Sequence, residues 1–176
     1  MIIAVKKYFL YFLTTMILSV SVSAEKLIDI IPSPAPLPSM SFDDGNQSVE
    51  IENFSGHYVL VNFWATWCVP CITEMPALDR LAENFYKKGL IVIAINQDAA
   101  GFNEVKPFLK SMALKKILVW YDKKNKGFRD LGFKGLPTTV LINPEGFMVA
   151  KLEGSAEWDQ GLLVEQIKNI IAGGVR

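Results

Sequence analysis

Hydrophobic residues recur along this chain in two spacings, and the change from one spacing to the other predicts strands that alternate with helices. Residues 58–64 and 90–95 are short, almost uninterrupted apolar runs, typical of strands covered on both faces. Between them, residues 68–88 show helical spacing, carried by Ile72, Met75, Leu78, Leu81, Ala82 and Phe85. We expect Pro76 to kink this helix and Gly89 to end it.

Further elements are predicted on both sides of this unit. From Met40 the pattern predicts a hairpin that turns at Asp43-Asp44-Gly45-Asn46. Downstream it predicts helices and strands that end in a hairpin around Asn143-Pro144-Glu145-Gly146. The helices are expected over 102–112, 126–132 and 157–172, and the strands over 117–121, 138–142 and 147–152. We therefore expect an α/β domain over residues 40–176, with a mainly parallel sheet covered on both faces and an antiparallel hairpin.

The first 24 residues have the composition of an export signal. Lys6 and Lys7 precede an apolar stretch over residues 8–22, which leads into Val22-Ser23-Ala24, a small-residue cleavage pattern. We interpret residues 1–24 as a signal peptide. An uncleaved membrane anchor is the alternative, although the stretch is shorter than the about 20 residues that span a bilayer. Either form places the domain in the periplasm or at the outer face of the inner membrane.

Residues 25–39 carry prolines at alternate positions, namely Pro32, Pro34, Pro36 and Pro38. This spacing disfavours both a helix and sheet pairing, and it favours an extended, polyproline-like chain. We interpret the segment as a tether between the export signal and the domain. A proline-rich ligand for a partner domain is the alternative.

Composition limits the possible classes of function. The 176 residues are 51% hydrophobic, which is enough for a sizeable core. Lysines and arginines number 18, as do aspartates and glutamates. The resulting formal net charge of +0 gives no support to a nucleic-acid partner.

Both cysteines of the chain stand in Trp67-Cys68-Val69-Pro70-Cys71, where the strand 58–64 is followed by the helix 68–88. Unpaired amides at a helix N-terminus carry partial positive charge and favour a thiolate, which is the attacking form of cysteine. Residues three apart on a helix have Cβ atoms roughly 5–6 Å apart, so the pair can form and break a disulfide without unfolding. Because disulfides persist outside the cytoplasm, such a pair implies a redox partner.

Two other roles for the cysteine pair fit the sequence less well. A structural disulfide that closes about four residues would restrain the unfolded chain by only roughly 2 kcal/mol, against about 3 kcal/mol for a fifteen-residue loop. Half of a zinc site would need a second cysteine pair or two histidines, and the chain has no further cysteine and only His57. The spacing and its context favour redox chemistry.

Three motifs resemble those of the thioredoxin-like proteins, and among them the exported TlpA/ResA-like thiol-disulfide oxidoreductases. They are Val61-Asn62-Phe63-Trp64-Ala65-Thr66-Trp67-Cys68-Val69-Pro70-Cys71, then Glu74-Met75-Pro76, then Gly135-Leu136-Pro137-Thr138-Thr139 followed by Leu141-Ile142-Asn143-Pro144-Glu145-Gly146. The resemblance spans residues 40–172. It implies a thioredoxin fold, with a central mixed sheet flanked by helices, an N-terminal hairpin, and a helix and strand inserted between Asn96 and Tyr121.

The resemblance also implies roles for single residues. Cys68 corresponds to the exposed nucleophile that attacks a target disulfide, and Cys71 to the resolving thiol that releases the mixed disulfide. Pro137 corresponds to the cis-proline of the family. Leu136, the residue before it, corresponds to a substrate contact, and Trp67 borders the nucleophile as a second one.

Glu74 corresponds to an acid that influences cysteine ionisation in ResA-like proteins. It lies one helical turn past Cys71 and could pass a proton to or from that thiol. From the residues alone, an ordinary exposed helix carboxylate is an equal alternative. Plain thioredoxin has a buried acid where this chain has Asn62, so Glu74 or water would have to take over that proton transfer. Phe63 and Trp64 are expected in the core.

The resemblance implies a protein-disulfide oxidoreductase that takes electrons from a membrane thiol-disulfide electron-transfer protein and reduces disulfides in other exported proteins. Cytochrome c maturation and the assembly of oxidase copper centres are examples of such work. We expect no cofactor and no metal, and a monomer. The direction of electron flow stays open, because it follows the reduction potential relative to that of the partner.

Two alternative functions belong to other classes. A thiol peroxidase would need Pro, Thr and Arg around its thiolate, and only Thr66 is recognisable near Cys68. A non-enzymatic copper chaperone would bind Cu(I) with its soft thiolates. Such proteins typically add a histidine after the cysteines, whereas His57 precedes them.

Overall fold

The structure, a computed structural model, describes residues 25–174 and contains the predicted alternation of strands and helices. The strands are β1 (Asp29–Pro36), β2 (Ser41–Asp43), β3 (Ser48–Glu50), β4 (Tyr58–Trp64), β5 (Leu90–Asn96), β6 (Leu118–Tyr121), β7 (Thr138–Ile142) and β8 (Phe147–Glu153). The helices are α1 (Val69–Phe85), α2 (Phe102–Met112), α3 (Lys126–Asp130) and α4 (Gly161–Asn169). The predicted N-terminal hairpin is present as β2 and β3, which pair antiparallel.

In the described part of the chain, eight strands form one sheet in the order β1-β8-β7-β4-β5-β6-β2-β3. β4 runs parallel to β5, and β5 runs parallel to β6. The other five pairings of this sheet are antiparallel. The expected mixed sheet is therefore confirmed, but the expectation that it is mainly parallel is wrong. The parallel centre is extended by a hairpin on each side, and strands joined by short turns can pair only antiparallel.

Alternate residues of the central strands point to opposite faces of the sheet, and each face has its own core. On one face, strand residues pack with α1, α2 and α4, through Leu60, Val92, Leu141, Leu78, Val105 and Ile167 among others. On the other face, Phe63 contacts Phe128 and Phe133 edge to face, with ring centroids 5.6 and 5.4 Å apart. Both faces are covered, and Phe63 and Trp64 lie in the core as predicted.

The proline-rich segment belongs to the sheet, and the prediction that its prolines prevent sheet pairing is wrong. β1 is the edge strand beside β8 and pairs with it antiparallel, with an irregularity between Ile30 and Ala35. Pro32 and Pro34 fall within that irregularity, where the pairing of β1 with β8 does not require a backbone N–H from either residue. Pro36 lies in an edge strand, which has one unpaired side in any case.

The start of this segment is also tied to the last helix. Ile28 is buried, and its backbone N–H donates to Gln166 Oε1 at 2.9 Å. Its carbonyl accepts a hydrogen bond from Gln166 Nε2, also at 2.9 Å. Because Gln166 lies in α4, the chain is fixed to the domain from residue 28 onward.

The inserted helix and strand are held to α1 by one carboxylate. Asp79 Oδ1 accepts hydrogen bonds from the backbone N–H groups of Lys115, Lys116 and Ile117 at 3.0, 2.7 and 2.9 Å. These residues lead into β6. The loop between α2 and β6 is therefore docked on the helix that follows the cysteines.

The last helix begins later than the sequence predicts. The expected helix over 157–172 is observed as α4, Gly161–Asn169, followed by a π turn over Ile170–Gly174. Gly161 has a φ of 70°, a left-handed conformation that separates the helix from the residues before it. Residues 154–160 form a loop, and this loop reaches the candidate site.

The export prediction concerns residues 1–24, which lie outside the described residues. Between residues 25 and 174, no helix has the length and apolar character needed to cross a bilayer. Export therefore stays a prediction from the sequence.

The contacts of Ile28 predict that residues before Met40 contribute to stability. Ile28 is 2% exposed and Ile30 is 39% exposed, so the pair offers a matched test. Ile28→Ala should lower the free energy of unfolding by about 2–5 kcal/mol, because it empties a buried site. Ile30→Ala should lower it by less than about 1 kcal/mol. Urea unfolding followed by circular dichroism measures both changes in free energy. Equal small changes would instead support the interpretation of this segment as a tether that does not contribute to stability.

Candidate active site

The two cysteines lie at the start of α1, directly beyond the end of β4. Cys68 is the N-cap residue of α1, and Cys71 lies in its first turn. The Cys68 N–H donates to the Ala65 carbonyl at 3.1 Å, and the Cys68 carbonyl accepts from the Ile72 N–H at 3.1 Å. Pro70 is accommodated because the first helical amides have no partner within the helix. Cys68 therefore occupies the helix N-terminal position that the sequence predicts.

Cys68 and Cys71 form a disulfide, with their Cα atoms 5.3 Å apart. Cys68 is 6% exposed and Cys71 is 0% exposed. The expectation of an exposed nucleophile holds only in this relative sense, because both cysteines pack into the core below α1. Another molecule can reach the pair only through Cys68.

Exposed apolar residues surround this access point. Trp67 and Val69, on either side of Cys68, are 68% and 72% exposed. Pro70 is also exposed. Large exposed apolar residues grouped in this way are typical of surfaces on which another protein docks. Trp67 thus lies beside the cysteines, where the sequence predicts a substrate contact.

The peptide bond between Leu136 and Pro137 is cis, as the resemblance implies. The next residue, Thr138, opens β7 and pairs with Phe63 near the end of β4. The cis-proline therefore lies at the same end of the sheet as the disulfide. Pro137 is buried, Leu136 is half-buried, and the Pro137 carbonyl accepts a hydrogen bond from the Gly154 N–H at 2.8 Å.

Glu74 is only 4% exposed, so the alternative of an ordinary exposed helix carboxylate is wrong. Its Oε1 accepts a hydrogen bond from Asn62 Nδ2 at 2.8 Å. Its Oε2 accepts from Trp158 Nε1 at 2.8 Å and from the backbone N–H of Ala156 at 3.0 Å. Asn62 Nδ2 also donates to Thr139 Oγ1 at 2.9 Å. The carboxylate connects β4, α1 and the loop after β8.

Burial raises the pKa of Glu74 above its ordinary value. The hydrogen bonds from Trp158, Ala156 and Asn62, and the charge of Lys26, oppose this rise. Glu74 is three residues past Cys71 on the buried face of α1. A carboxyl group with a raised pKa, one helical turn from a cysteine, is suited to exchange a proton with it.

A second carboxylate, which the sequence analysis did not identify, fixes the loop before the cysteines. Asp98 accepts hydrogen bonds from the backbone N–H of Thr66 at 2.9 Å and from its hydroxyl at 2.7 Å. Asn96 Nδ2 donates to Asp98 at 2.6 Å. A signal for this contact exists in the sequence, because residues that follow neighbouring parallel strands meet at one edge of the sheet.

Trp158 is the other residue at the site that the sequence analysis missed, because the pattern placed it in the last helix. The available signal was that a buried indole N–H usually finds an acceptor. The loop that carries Trp158 also borders a cleft of about 900 Å³ beside Glu74. Pro70, Thr73 and the N-terminal residues Glu25 and Lys26 line the same cleft.

Residues 25–174 contain no group of three or more histidine, cysteine, aspartate or glutamate side chains that could hold a metal ion. His57 precedes β4 and Cys68 follows it. At about 3.3 Å per residue, the length of this strand separates the two side chains. His57 therefore cannot share a metal ion with the cysteines.

Comparisons with known sequences agree with this site. The family model described as Redoxin matches residues 32–165. The thiol-disulfide oxidoreductase ResA of Bacillus thuringiensis subsp. konkukian (strain 97-27) is 35% identical over 124 residues, which cover 70% of this chain and 69% of that protein. ResA of Bacillus subtilis (strain 168) is 32% identical over 119 residues, which cover 67% of this chain and 65% of that protein.

The fold is also found among solved structures. A crystal structure from Chlorobium tepidum, assigned as the thiol:disulfide interchange protein DsbE, superposes with a TM-score of 0.71 at 26% identity. The match covers 84% of this chain and 99% of that chain. The names of these relatives, thiol-disulfide oxidoreductase and thiol:disulfide interchange protein, agree with the Cys68–Cys71 disulfide. The chain belongs to the redoxin family of thioredoxin-like proteins.

Proposed function

We propose that this chain is an exported thiol-disulfide oxidoreductase that reduces disulfides in other exported proteins. The observation that carries the proposal is the Cys68–Cys71 disulfide at the N-terminus of α1, with only Cys68 accessible. The relatives named thiol-disulfide oxidoreductase ResA support the same chemistry. Trp67 and Leu136 supply the surface on which an extended substrate segment binds beside the cysteines, and the buried cis-proline Pro137 positions Leu136 for this contact.

The reaction exchanges one disulfide for another. In the reduced protein, the Cys68 thiolate attacks one sulfur of the target disulfide, forms a mixed disulfide and displaces the other target sulfur as a thiolate. The Cys71 thiolate then attacks the Cys68 sulfur, forms the intramolecular disulfide and releases the second target thiolate. Two electrons pass to the target. One of the two protons that the target thiolates take up comes from Cys71, and the other comes from solvent, which received the proton of Cys68 when its thiolate formed.

Glu74 accepts the proton of Cys71 before the second attack. The geometry that supports this role is their spacing of one turn on the same buried helix face. Asn62 cannot perform it, because a side-chain amide does not take up a proton near neutral pH. Asn62 instead donates to Glu74 and keeps the carboxylate below the helix start.

Export and the electron donor complete the proposal. The charged start, apolar stretch and Val22-Ser23-Ala24 pattern of residues 1–24 support export. Outside the cytoplasm the disulfide would accumulate, so a membrane thiol-disulfide electron-transfer protein must reduce it again. We expect a monomer and no nucleic-acid partner.

The two alternatives make different demands on the site. In a thiol peroxidase, Thr66 would act on the thiolate, but its hydroxyl donates to Asp98. In a copper chaperone, His57 would join the cysteines, but it lies at the other end of β4. Hydrogen peroxide consumption and copper retention after purification are the assays that separate these functions from disulfide reduction.

The assignment of the two cysteines predicts which variant traps a target. Cys71→Ser should accumulate covalent complexes through Cys68, because the resolving attack is lost. Cys68→Ser should accumulate none, because Cys71 is fully buried. Non-reducing electrophoresis of periplasmic extracts shows the complexes, and trapping by Cys68→Ser instead would reverse the assignment.

The role of Glu74 predicts a change in pH dependence. In the wild-type protein, the rate of disulfide reduction should rise as Glu74 loses its proton, because only the carboxylate can accept the proton of Cys71. Glu74→Gln should remove this ionisation from the profile and slow the resolving step by about 100-fold. Stopped-flow reduction of a disulfide peptide between pH 4 and pH 9, about the range in which carboxyl and thiol groups ionise, measures the profile.

Glu83 provides the matched control for this experiment. It lies on the same helix and is exposed, so Glu83→Gln makes the same chemical change away from the cysteines. Its profile should equal that of the wild-type protein. If Glu74→Gln also keeps the wild-type profile, Glu74 has a structural role only.

A further inference from the structure

The hydrogen bonding of Trp158 differs from that of the other fully buried tryptophan in residues 25–174. Its side chain is fully buried, and its only donor, the indole N–H, points to Glu74 Oε2 at 2.8 Å. The chain contains a second fully buried tryptophan, Trp64, whose indole N–H has no hydrogen-bond acceptor among residues 25–174. Of these two buried indoles, that of Trp158 is the one that donates to a carboxylate beside the cysteines.

The loop over residues 154–160 reaches two parts of the site at once. Near its start, the Gly154 N–H donates to the carbonyl of the cis-proline, Pro137, at 2.8 Å. Two residues later, the Ala156 N–H donates to Glu74 Oε2 at 3.0 Å. With Trp158, the loop makes two hydrogen bonds to the same carboxylate oxygen and one to the substrate-binding proline.

We propose that Trp158 is a positioning residue for the disulfide chemistry and that it acts through Glu74. Its indole N–H holds the carboxylate in place and determines how readily that group takes up the proton of Cys71. The inference rests on the proposed function of the cysteine pair. It adds a residue that lies outside the three motifs by which the sequence resembles its family.

The hydrogen bonds also distinguish the two oxygens of Glu74. Oε2 accepts from two N–H groups, whereas Oε1 accepts from Asn62 Nδ2 alone. A proton on Oε2 would compete with both donors, so the proton from Cys71 is placed on Oε1. The indole N–H stabilises the carboxylate more than the neutral acid, because hydrogen bonds to a charged acceptor are the stronger ones.

Several charged groups surround Glu74, and the test must leave them unchanged. The charge of Lys26 favours the carboxylate. The cleft beside Glu74 is also lined by Glu25, Glu157 and Arg80, and Arg80 is paired with Asp159. Trp158 carries no charge, so replacing it alters the hydrogen bond and keeps the surrounding charges.

Trp158→Phe tests the proposal, because it removes the N–H and keeps an aromatic ring in the core. Carbon-13 NMR of the Glu74 carboxyl, assigned with Glu74→Gln, should show a titration midpoint about one pH unit higher than in the wild-type protein. Trp64→Phe is the matched control. It removes an indole N–H that has no acceptor, and it should leave the midpoint of Glu74 unchanged.

The rate profile tests whether this contact matters for the reaction. With dithiothreitol as electron source and a synthetic peptide with one disulfide as substrate, Trp158→Phe should shift the pH profile by the same amount. In a Glu74→Gln background, Trp158→Phe should shift nothing, because the group through which it acts is gone. A structural role alone would not produce this dependence on Glu74.

With a folded Trp158→Phe variant, three results would overturn the proposal. They are an unchanged Glu74 midpoint in folded Trp158→Phe, a shifted midpoint with an unshifted rate profile, and an equal rate shift in the Glu74→Gln background. If Trp158→Phe does not fold, the pH dependence of the indole N–H resonance of Trp158 in the wild-type protein tests the proposal instead. This resonance should titrate together with Glu74 and lose this titration in Glu74→Gln, and a resonance independent of pH would overturn the proposal. A wild-type protein that reduces no disulfide would reject the proposed function itself, and the positioning role with it.

Discussion

A buried carboxylate requires donors around it, and at Glu74 this requirement joins three parts of the fold. An ionised group inside a protein is stable only when hydrogen bonds replace its lost water. Here the donors come from β4, through Asn62, and from the loop after β8, through Ala156 and Trp158. The same loop holds the carbonyl of Pro137. The need to satisfy one carboxylate thus fixes the start of α1 relative to the cis-proline.

Asn62 and Glu74 are joined by a hydrogen bond, and the resemblance to thioredoxin implies that an acid would stand at the position of Asn62. Both hydrogen bonds of Asn62 Nδ2 are used, one to Glu74 and one to Thr139, so the amide connects two neighbouring strands to α1. It carries no ionisable proton. Under the proposed function, the group that accepts the proton of Cys71 therefore lies on the helix, in Glu74, and not on the strand. Glu74 is one turn from Cys71 and also lines the cleft.

Local patterns predicted the strands, the helices and the position of the cysteine pair at a helix start. Apolar spacing and the motif around Cys68 are properties of short segments. The mixed sheet followed from the resemblance. The pattern could not predict the Glu74–Trp158 contact, whose partners are 84 residues apart in sequence. The pattern also wrongly predicted that the prolines keep residues 29–36 out of the sheet. Whether a proline-rich segment can pair depends on which sheet edge is available and on where the hydrogen-bond ladder is irregular.

The pairing of β1 with β8 determines where the chain enters the domain. Lys26 Nζ donates to the Glu153 carbonyl, and the Leu162 N–H donates to the carboxylate of Glu25, so the chain enters the domain beside the Glu74 cleft. Residue 25, the first that the structure describes, therefore lies at the end of the sheet that carries the disulfide. Under the proposed function, the electron donor and the substrates must both reach Cys68 at this end of the sheet, close to the point where the chain enters the domain.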